Sequence, residues 1–198
     1  MSATIFEYIF LAGIVAAEVI RFPHQQRDRR ERRRKRATED RTRPGDSALD
    51  ILAFTGMEII PVIYIFSPWL DFADYTLPRW VSWLGVLLLG LMLWLLWKAH
   101  SDLGQSWTAT VEITERHALV TGGVYSAIRH PIYSALWLWG LAQALLLPNW
   151  IAGLAALLLF IPLYFTRVPR EEQLLLDHYG EEYRAYTDRT GRVIPRWG

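Results

Sequence analysis

The sequence contains no cysteine, which excludes disulfide bonds, thiolate metal sites and cysteine nucleophiles. It also lacks the glycine-rich fingerprint that joins a strand to a helix in dinucleotide-binding folds, and this argues against a Rossmann-type enzyme. Charge is scarce in several long stretches, and residues 81–97, VSWLGVLLLGLMLWLLW, carry none. Apolar residues make up 52% of the chain and are gathered into such blocks. This distribution favours an integral membrane protein over a soluble one.

Five hydrophobic segments are candidates for helices that span the bilayer. They lack the alternating pattern of barrel strands, and lipid admits only helices or closed barrels. Pro148 and Asn149 separate the last two segments and favour a tight turn, so these segments should form a helical hairpin. The predicted fold is all-α: a polytopic membrane bundle of about five transmembrane helices with a cytoplasmic C-terminal helical segment, forming one domain over residues 1–198. The predicted spans are residues 4–20, 49–70, 81–97, 132–147 and 151–165.

Basic residues concentrate in residues 21–43, which hold eleven Lys or Arg and four acids. The positive-inside rule predicts that this arginine-rich loop stays in the cytoplasm. Alternation then places the N-terminus and the loop with Asp71 and Asp74 outside, and residues 98–130 and the C-terminal segment inside. No stacking aromatic residues are interleaved with the arginines. We therefore favour a retention signal that contacts anionic lipid over a nucleic-acid site.

The stretch RHPIY, residues 129–133, directly precedes an apolar run. Pro131 suits the first turn of a helix and pushes His130 toward an extended conformation. We therefore expect His130 just outside a helix start, with its ring facing a ligand and Tyr133 one turn further in. The turn at residues 121–123, Thr-Gly-Gly, would let backbone N–H groups approach that ligand. The same residue types also suit a plain interfacial anchor.

A second polar segment, residues 167–195, follows the last apolar run. On a helix, Arg167 and Glu171 share a face because they are four residues apart, and Glu172 lies on a neighbouring face. Such a pair is also a common surface ion pair, so the spacing alone leaves both interpretations open. The stretch GEEYRAY predicts a short amphipathic helix whose tyrosines pack back on the bundle.

Four stretches in this order resemble the isoprenylcysteine carboxyl methyltransferase family. They are LGQSW, HALVTGGVY, RHPIY and PREEQLLLDHYGEEYRAY, and a closing proline, Pro195, follows them. The resemblance covers about residues 94–195. Phospholipid methyltransferases have a similar layout of RHP and EE, so the motifs define the cofactor class better than the methyl acceptor.

The resemblance implies an integral-membrane enzyme that uses S-adenosyl-L-methionine (SAM). The cofactor would lie in a cytoplasmic pocket formed by residues 105–133 and 167–195, and a lipophilic acceptor, such as a prenylated one, would enter from the bilayer. Neither a metal nor a nucleic acid is implied. Arg167 and Glu171 are the implied catalytic residues, with Arg167 addressing the acceptor. The implied cofactor-binding residues are His117, Ala118, Leu119, Val120, Tyr125, His130, Pro131, Ile132, Tyr133 and Glu171.

The chemistry of the acceptor stays open between two classes. SAM is cationic and already activated, so the protein's task is to align the reacting atoms. With a carboxylate acceptor, opposite charges cancel in the transition state, and Arg167 can hold the carboxylate by two hydrogen bonds while Glu171 balances the cofactor's amino group. An isoprenylcysteine-like carboxylate is the expected acceptor. The alternative is a phospholipid or other lipid amine, which would need a base such as His130 or Glu172.

Glu58 lies inside the second predicted span, where an ionisable residue indicates a functional site by default. A protonated Glu58 could instead bond the backbone carbonyl that Pro61 leaves without a donor. Two further hypotheses come from other classes of protein. A small transporter would use Glu58, but it predicts charges on several spans and residues 81–97 have none. A non-catalytic lipid-binding protein would use the arginine-rich loop and would not require the charged register of the C-terminal half.

Overall fold

The computed structural model describes residues 4–34, 39–40, 45–104, 112–113 and 119–196, and within these ranges the chain is almost entirely helical. The α-helices are α1 (Ile5–Arg34), α2 (Asp46–Phe54), α3 (Ile60–Phe66), α4 (Arg79–Leu103), α5 (Pro131–Leu146), α6 (Ala152–Tyr179) and α7 (Glu181–Arg189). Two-residue strands, β1 (Glu39–Asp40) and β2 (Glu112–Ile113), pair antiparallel. The predicted all-α class is therefore confirmed.

Helix α4 lies at the centre of the bundle because it packs against both α1 and α5, while α6 packs against α5 and α2. The core between these helices contains large side chains that are almost fully buried, among them Phe10, Met92, Trp139 and Phe160. On the outside, large apolar side chains such as Trp80 are left exposed. An apolar exterior around a packed interior is the arrangement that a lipid environment favours.

The predicted helical hairpin of α5 and α6 is confirmed, and Asn149 fixes its turn. The side-chain oxygen of Asn149 accepts hydrogen bonds from the backbone N–H groups of Ile151 (3.0 Å) and Ala152 (2.8 Å). Its amide nitrogen donates to the Leu70 carbonyl at 2.6 Å and to Asp74 at 2.8 Å. The turn is thereby tied to the segment that follows α3, at the end of the bundle opposite Asp46.

Helices α2 and α3 form one continuous rod, Asp46–Phe66, with a π-helical turn at Thr55–Ile59 between them. Pro61 has no N–H and its ring clashes with the preceding turn, so the helix widens just before it. The Ile60 N–H bonds the Thr55 carbonyl, and the Gly56 carbonyl instead accepts the Nε2 group of Gln143 from α5 at 2.9 Å. Gln143 thus supplies a side-chain donor to a carbonyl of the π-helical turn, and the hydrogen bond from Glu58 to a carbonyl freed by Pro61 stays a prediction.

Glu58 faces a different partner. Its Oε1 atom lies 3.8 Å from Nη1 of Arg21 on α1, and Arg21 also donates to Glu18 at 2.7 Å. An acid within a predicted span therefore lies beside a basic residue in the middle of α1, and pairing of this kind is the usual way that such groups are tolerated.

Three helices in the described ranges are long and apolar enough to cross a membrane: Asp46–Phe66, Arg79–Leu103 and Ala152–Tyr179. The predicted spans 49–70, 81–97 and 151–165 fall mainly on them. The predicted span 132–147 corresponds to α5, which is apolar but has only 16 residues. The span count of about five stays a prediction.

Two helices run well past the apolar segments that predicted them. Helix α1 continues through Pro23 to Arg34, so the first part of the arginine-rich segment is helical, and the prediction of a loop there was wrong. Helix α6 continues through Pro169 to Tyr179. The polar residues of both extensions, mainly Arg, Glu and Gln, are good helix formers, so loss of apolar character did not end the helix.

Candidate active site

His130 stands immediately before α5, as predicted, and Pro131 is the first residue of that helix. The backbone N–H of His130 donates to the Arg192 carbonyl at 2.9 Å. The expectation that its ring faces openly toward a ligand needs correction, because His130 is only 7% exposed. The ring lies between two carboxylates: Nδ1 is 3.7 Å from Glu171 Oε2, and Nε2 is 3.4 Å from Glu172 Oε1.

Glu171 joins α5 to the polar half of α6. Its Oε1 atom accepts a hydrogen bond from the Tyr133 hydroxyl at 2.6 Å and lies 3.6 Å from Nε of Arg167. Arg167 and Glu171 therefore share a face, as their spacing predicts. Helix α5 brings His130 and Tyr133 to this face, so four of the predicted site residues meet here.

Glu172 holds a second, more tightly bonded cluster. Its Oε1 atom accepts hydrogen bonds from Nε of Arg129 at 2.7 Å and from Nε of Arg192 at 3.1 Å, and Oε2 is paired with Nη2 of Arg192. The bond to Glu172 raises the pKa of the Arg192 guanidinium above its usual value. Sequence reasoning placed Glu172 on a neighbouring face but did not identify Arg129 and Arg192 as its partners.

The C-terminal segment is bonded along the stretch before α5. The Arg129 N–H donates to the Gly191 carbonyl at 2.9 Å, and the Gly191 N–H donates to the Ala127 carbonyl at 3.0 Å. Further on, the Ser134 hydroxyl donates to the Val193 carbonyl at 2.7 Å. Glycine is needed at 191 because a Cβ atom there would lie 1.8 Å from the Ile194 carbonyl oxygen. These bonds position residues 190–196 beside the histidine.

Three buried tyrosines, Tyr125, Tyr183 and Tyr186, lie in segments next to the site. Tyr183 and Tyr186 of α7 are each 2% exposed, so the predicted packing of this amphipathic helix on the bundle is confirmed. The Tyr186 hydroxyl donates to the Tyr125 carbonyl at 2.7 Å. Burial raises the pKa of Tyr186 to about 12 and that of Tyr125 further still, so both hydroxyls are neutral at physiological pH.

Helix α4 holds the glycine turn at residues 121–123. Gly123 adopts a positive φ of 61°, and a Cβ atom there would lie 2.0 Å from Oδ2 of Asp102. The same Asp102 oxygen accepts the Val124 N–H at 2.9 Å, and Lys98 pairs with the other carboxylate oxygen. We expected this turn to offer backbone N–H groups to a ligand. The backbone N–H of Val124 instead donates to Asp102.

The remaining predicted cofactor-binding residues are less informative. Leu119 and Val120 are partly buried and belong to no helix or strand. Pro131 and Tyr125 are buried and Ile132 is partly buried. His117 and Ala118 lie outside the described residues.

Helix α2 contributes two acids that sequence reasoning did not place in the site. Asp50 accepts a hydrogen bond from Nη1 of Arg167 at 2.8 Å. Asp46 accepts from Arg170, at 3.0 Å from Nη1 and 2.5 Å from Nη2. Neither pairing has a local signal in the sequence, because the partners are more than a hundred residues apart and meet only when α2 packs on α6.

This arrangement suits a polar, partly cationic ligand that reaches the membrane edge. Glu171 supplies a carboxylate that is a quarter exposed, so a charged amino group can approach it. The Nε2 atom of His130 is buried and lies 3.4 Å from Glu172 Oε1, without meeting hydrogen-bond geometry in the described part of the chain. Among the described residues, no group of three or more His, Asp or Glu side chains is placed to hold a metal.

Comparison with known proteins gives a consistent family. Residues 83–177 match the model of the isoprenylcysteine carboxyl methyltransferase (ICMT) family. Protein-S-isoprenylcysteine O-methyltransferase B of Arabidopsis thaliana is 32% identical over 118 residues, which are 59% of this chain and 60% of that protein. The Schizosaccharomyces pombe protein-S-isoprenylcysteine O-methyltransferase is 33% identical over 116 residues, 58% of this chain and 48% of that protein.

A solved structure agrees at the level of the fold. The eukaryotic intramembrane Ras methyltransferase ICMT superposes with a TM-score of 0.53 and 23% sequence identity, covering 77% of this chain and 52% of that one. The chain spans about half the length of the curated relatives that it matches, 60% and 48% for the two named above. His130, Tyr133, Arg167 and Glu171 all lie within the matched residues. Residues 83–177 therefore match the isoprenylcysteine carboxyl methyltransferase family model, and the chain has the membrane helical fold of the solved ICMT structure.

Proposed function

We propose that this protein is an integral-membrane, SAM-dependent methyltransferase that O-methylates the carboxylate of an isoprenylcysteine-like lipophilic acceptor. The observation that carries the proposal is the cluster of Arg167, Glu171, Tyr133 and His130, which combines a buried cation with a partly exposed carboxylate. The names of the relatives support the reaction type.

The residues of the cluster fit the donor molecule. Glu171 would balance the donor's amino group, with its Oε1 atom oriented by the Tyr133 hydroxyl. His130, whose Nδ1 atom lies 3.7 Å from Glu171 Oε2, would bond a polar group of the donor. When bound, SAM supplies a methyl group that is already activated for transfer by its sulfonium charge. His117, Ala118, Leu119, Val120, Tyr125, Pro131 and Ile132 are assigned to the same pocket by the family resemblance.

Arg167 would hold the acceptor. Its side chain is 11% exposed, so the guanidinium acts where water is largely excluded and electrostatic interactions are strong. A guanidinium binds a carboxylate in a fixed geometry, which aligns the attacking oxygen. The apolar exterior of the helices would let the lipid portion of the acceptor approach from the bilayer. From the charge distribution, we infer that this end of the bundle faces the cytoplasm and that the N-terminus lies outside.

The geometry favours the carboxylate over a lipid amine. An amine acceptor would need a free base, and the candidates are Glu172 and His130. Glu172 accepts hydrogen bonds from both Arg129 and Arg192, which stabilises its charged form and makes it a weak base. His130 is only 7% exposed and is assigned to the donor, so it is poorly placed to take a proton from the acceptor. Arg167 has no evident role toward a neutral amine. We therefore take carboxyl O-methylation as the function.

Binding of SAM to the detergent-purified protein, measured by calorimetry, tests this proposal. We expect binding by the wild type, weakened about tenfold or more in Glu171→Ala and clearly weakened in His130→Ala. Glu181→Ala is the matched control, because Glu181 is 84% exposed and pairs only with Arg184 among the described contacts of its side chain. Absence of binding by well-folded wild type, or equal binding by all three variants, would contradict the assignment.

A further inference from the structure

Arg167, the residue assigned to the acceptor carboxylate, already holds a carboxylate from its own chain. Asp50 of α2 accepts a hydrogen bond from Nη1 of Arg167 at 2.8 Å. The two residues are 117 positions apart, so the contact exists only because α2 packs against α6. An acceptor carboxylate that binds Arg167 must therefore share the guanidinium with Asp50 or replace it.

The two partners differ strongly in exposure. The Arg167 side chain is 11% exposed and the Asp50 side chain is 48% exposed. A buried guanidinium needs a carboxylate partner, whereas a half-exposed carboxylate regains water when it leaves. An ion pair with one half-exposed member contributes little net stability. Asp50 is thus the partner that can be exchanged, and Arg167 is the fixed one.

A neighbouring pair shows the contrast. Asp46 and Arg170 lie one turn away on the same two helices and make two hydrogen bonds, of 3.0 and 2.5 Å. Their side chains are 5% and 13% exposed, so both partners are buried. The Asp46–Arg170 pair therefore holds α2 against α6. The packing of these helices does not depend on the Asp50–Arg167 pair alone.

We propose that Asp50 occupies, on Arg167, the position that the acceptor carboxylate takes when it binds, so that substrate binding is an exchange of one carboxylate for another. This inference rests on the proposed function and adds a specificity-determining residue to it. A neutral lipid of similar shape cannot displace a charged Asp50 from a guanidinium, so the exchange selects acceptors that carry a carboxylate.

The same exchange assists product release. In methylation, a bond forms between an acceptor carboxylate oxygen and the methyl carbon, and the carbon–sulfur bond breaks with its electron pair kept by sulfur. The acceptor changes from a carboxylate to a neutral ester and loses its attraction for Arg167. Asp50 then returns to the guanidinium and displaces the ester.

Steady-state kinetics with an N-acetylated S-farnesyl cysteine as the acceptor probe test the exchange. Asp50→Asn removes the competing charge, and we expect KM for the acceptor to fall about two- to fivefold, the factor corresponding to a weak ion pair. Asp50→Glu keeps the charge and should restore a KM near that of the wild type. Asp46→Asn is the matched control and should lower thermal stability without lowering KM. Asp50→Ser is the second neutral variant and serves if Asp50→Asn does not fold.

The outcomes distinguish a failure of the carboxylate exchange from a failure of the proposed methyltransferase function. A KM that is unchanged or higher in the folded neutral variants would overturn the exchange and make Asp50 a residue that merely positions Arg167. Calorimetry of SAM binding on the same preparations should give equal affinities for wild type and Asp50→Asn. A wild type that neither binds SAM nor methylates the probe would refute the proposed function itself.

Discussion

The carboxylate of Glu172 is the most heavily bonded charge of the candidate site, and its replacement by glutamine is a quantitative test of the structure. Arg129 and Glu172 have side chains that are only 14% and 15% exposed, and their Nε–Oε1 distance is 2.7 Å. Glu172→Gln keeps the shape and one acceptor oxygen but removes the charge. Two arginines, Arg129 and Arg192, would then face a neutral group.

The expected loss of stability follows from these exposures. Removing one partner of a buried ion pair costs about 3–5 kcal/mol, and a hydrogen bond to a charged group contributes about 1.5–3 kcal/mol. Glutamine retains part of the bonding, and Arg129 still donates to the Thr190 carbonyl at 2.6 Å. The Arg192 contribution is small because its side chain is 47% exposed. We therefore expect a loss of about 2 kcal/mol in the free energy of unfolding.

Thermal unfolding in detergent, followed by tryptophan fluorescence, measures this loss. For a chain of this size, about 2 kcal/mol corresponds to a fall in Tm of about 4–8 °C. Glu181→Gln makes the same chemical change at a side chain that is 84% exposed and should leave Tm unchanged. If Glu172→Gln were as stable as the control, the buried Arg129–Glu172 pair would not exist as described.

Two further substitutions test other contacts. Gln143→Leu removes three buried hydrogen bonds, because the amide of Gln143 joins two backbone carbonyls and the indole of Trp139. The variant should lose about 2–4 kcal/mol in the unfolding assay, whereas Gln173→Leu on an exposed face should lose little. Equal stability of the two variants would refute this role of the amide. Tyr133→Phe removes the hydroxyl donor to Glu171 and should weaken SAM binding about threefold to tenfold by calorimetry, whereas Tyr75→Phe, at the other end of the bundle, should not. Unchanged affinity in the first variant would separate the hydroxyl from the cofactor site.

Features of the fold that depend on nearby residues were predictable from the sequence. The start of α5 at Pro131 follows from the properties of proline, and the hairpin turn at Pro148 and Asn149 follows from local turn preferences. The shared face of Arg167 and Glu171 follows from helical spacing. The continuation of α1 to Arg34 was not predicted, because the arginine-rich composition after the first apolar segment favoured a loop.

Contacts between distant segments could not be predicted in this way. The bond between Gln143 and Gly56 joins residues 87 positions apart, and the bond between Arg167 and Asp50 joins residues 117 positions apart. Both depend on which faces of the helices meet. The burial of His130 has the same origin, because α6 and the C-terminal segment enclose a ring that local sequence places at an exposed helix start.

Carboxyl methylation can be measured by the transfer of the methyl group from methyl-labelled SAM to an N-acetylated S-farnesyl cysteine, followed by treatment of the product with alkali. A methyl ester releases labelled methanol in alkali, whereas a methylated amine keeps its label. We expect the wild type to incorporate label that alkali releases, and we expect Arg167→Ala and Glu171→Ala to lose incorporation. Label that resists alkali, or no incorporation by folded protein that binds SAM, would contradict carboxyl methylation at this site.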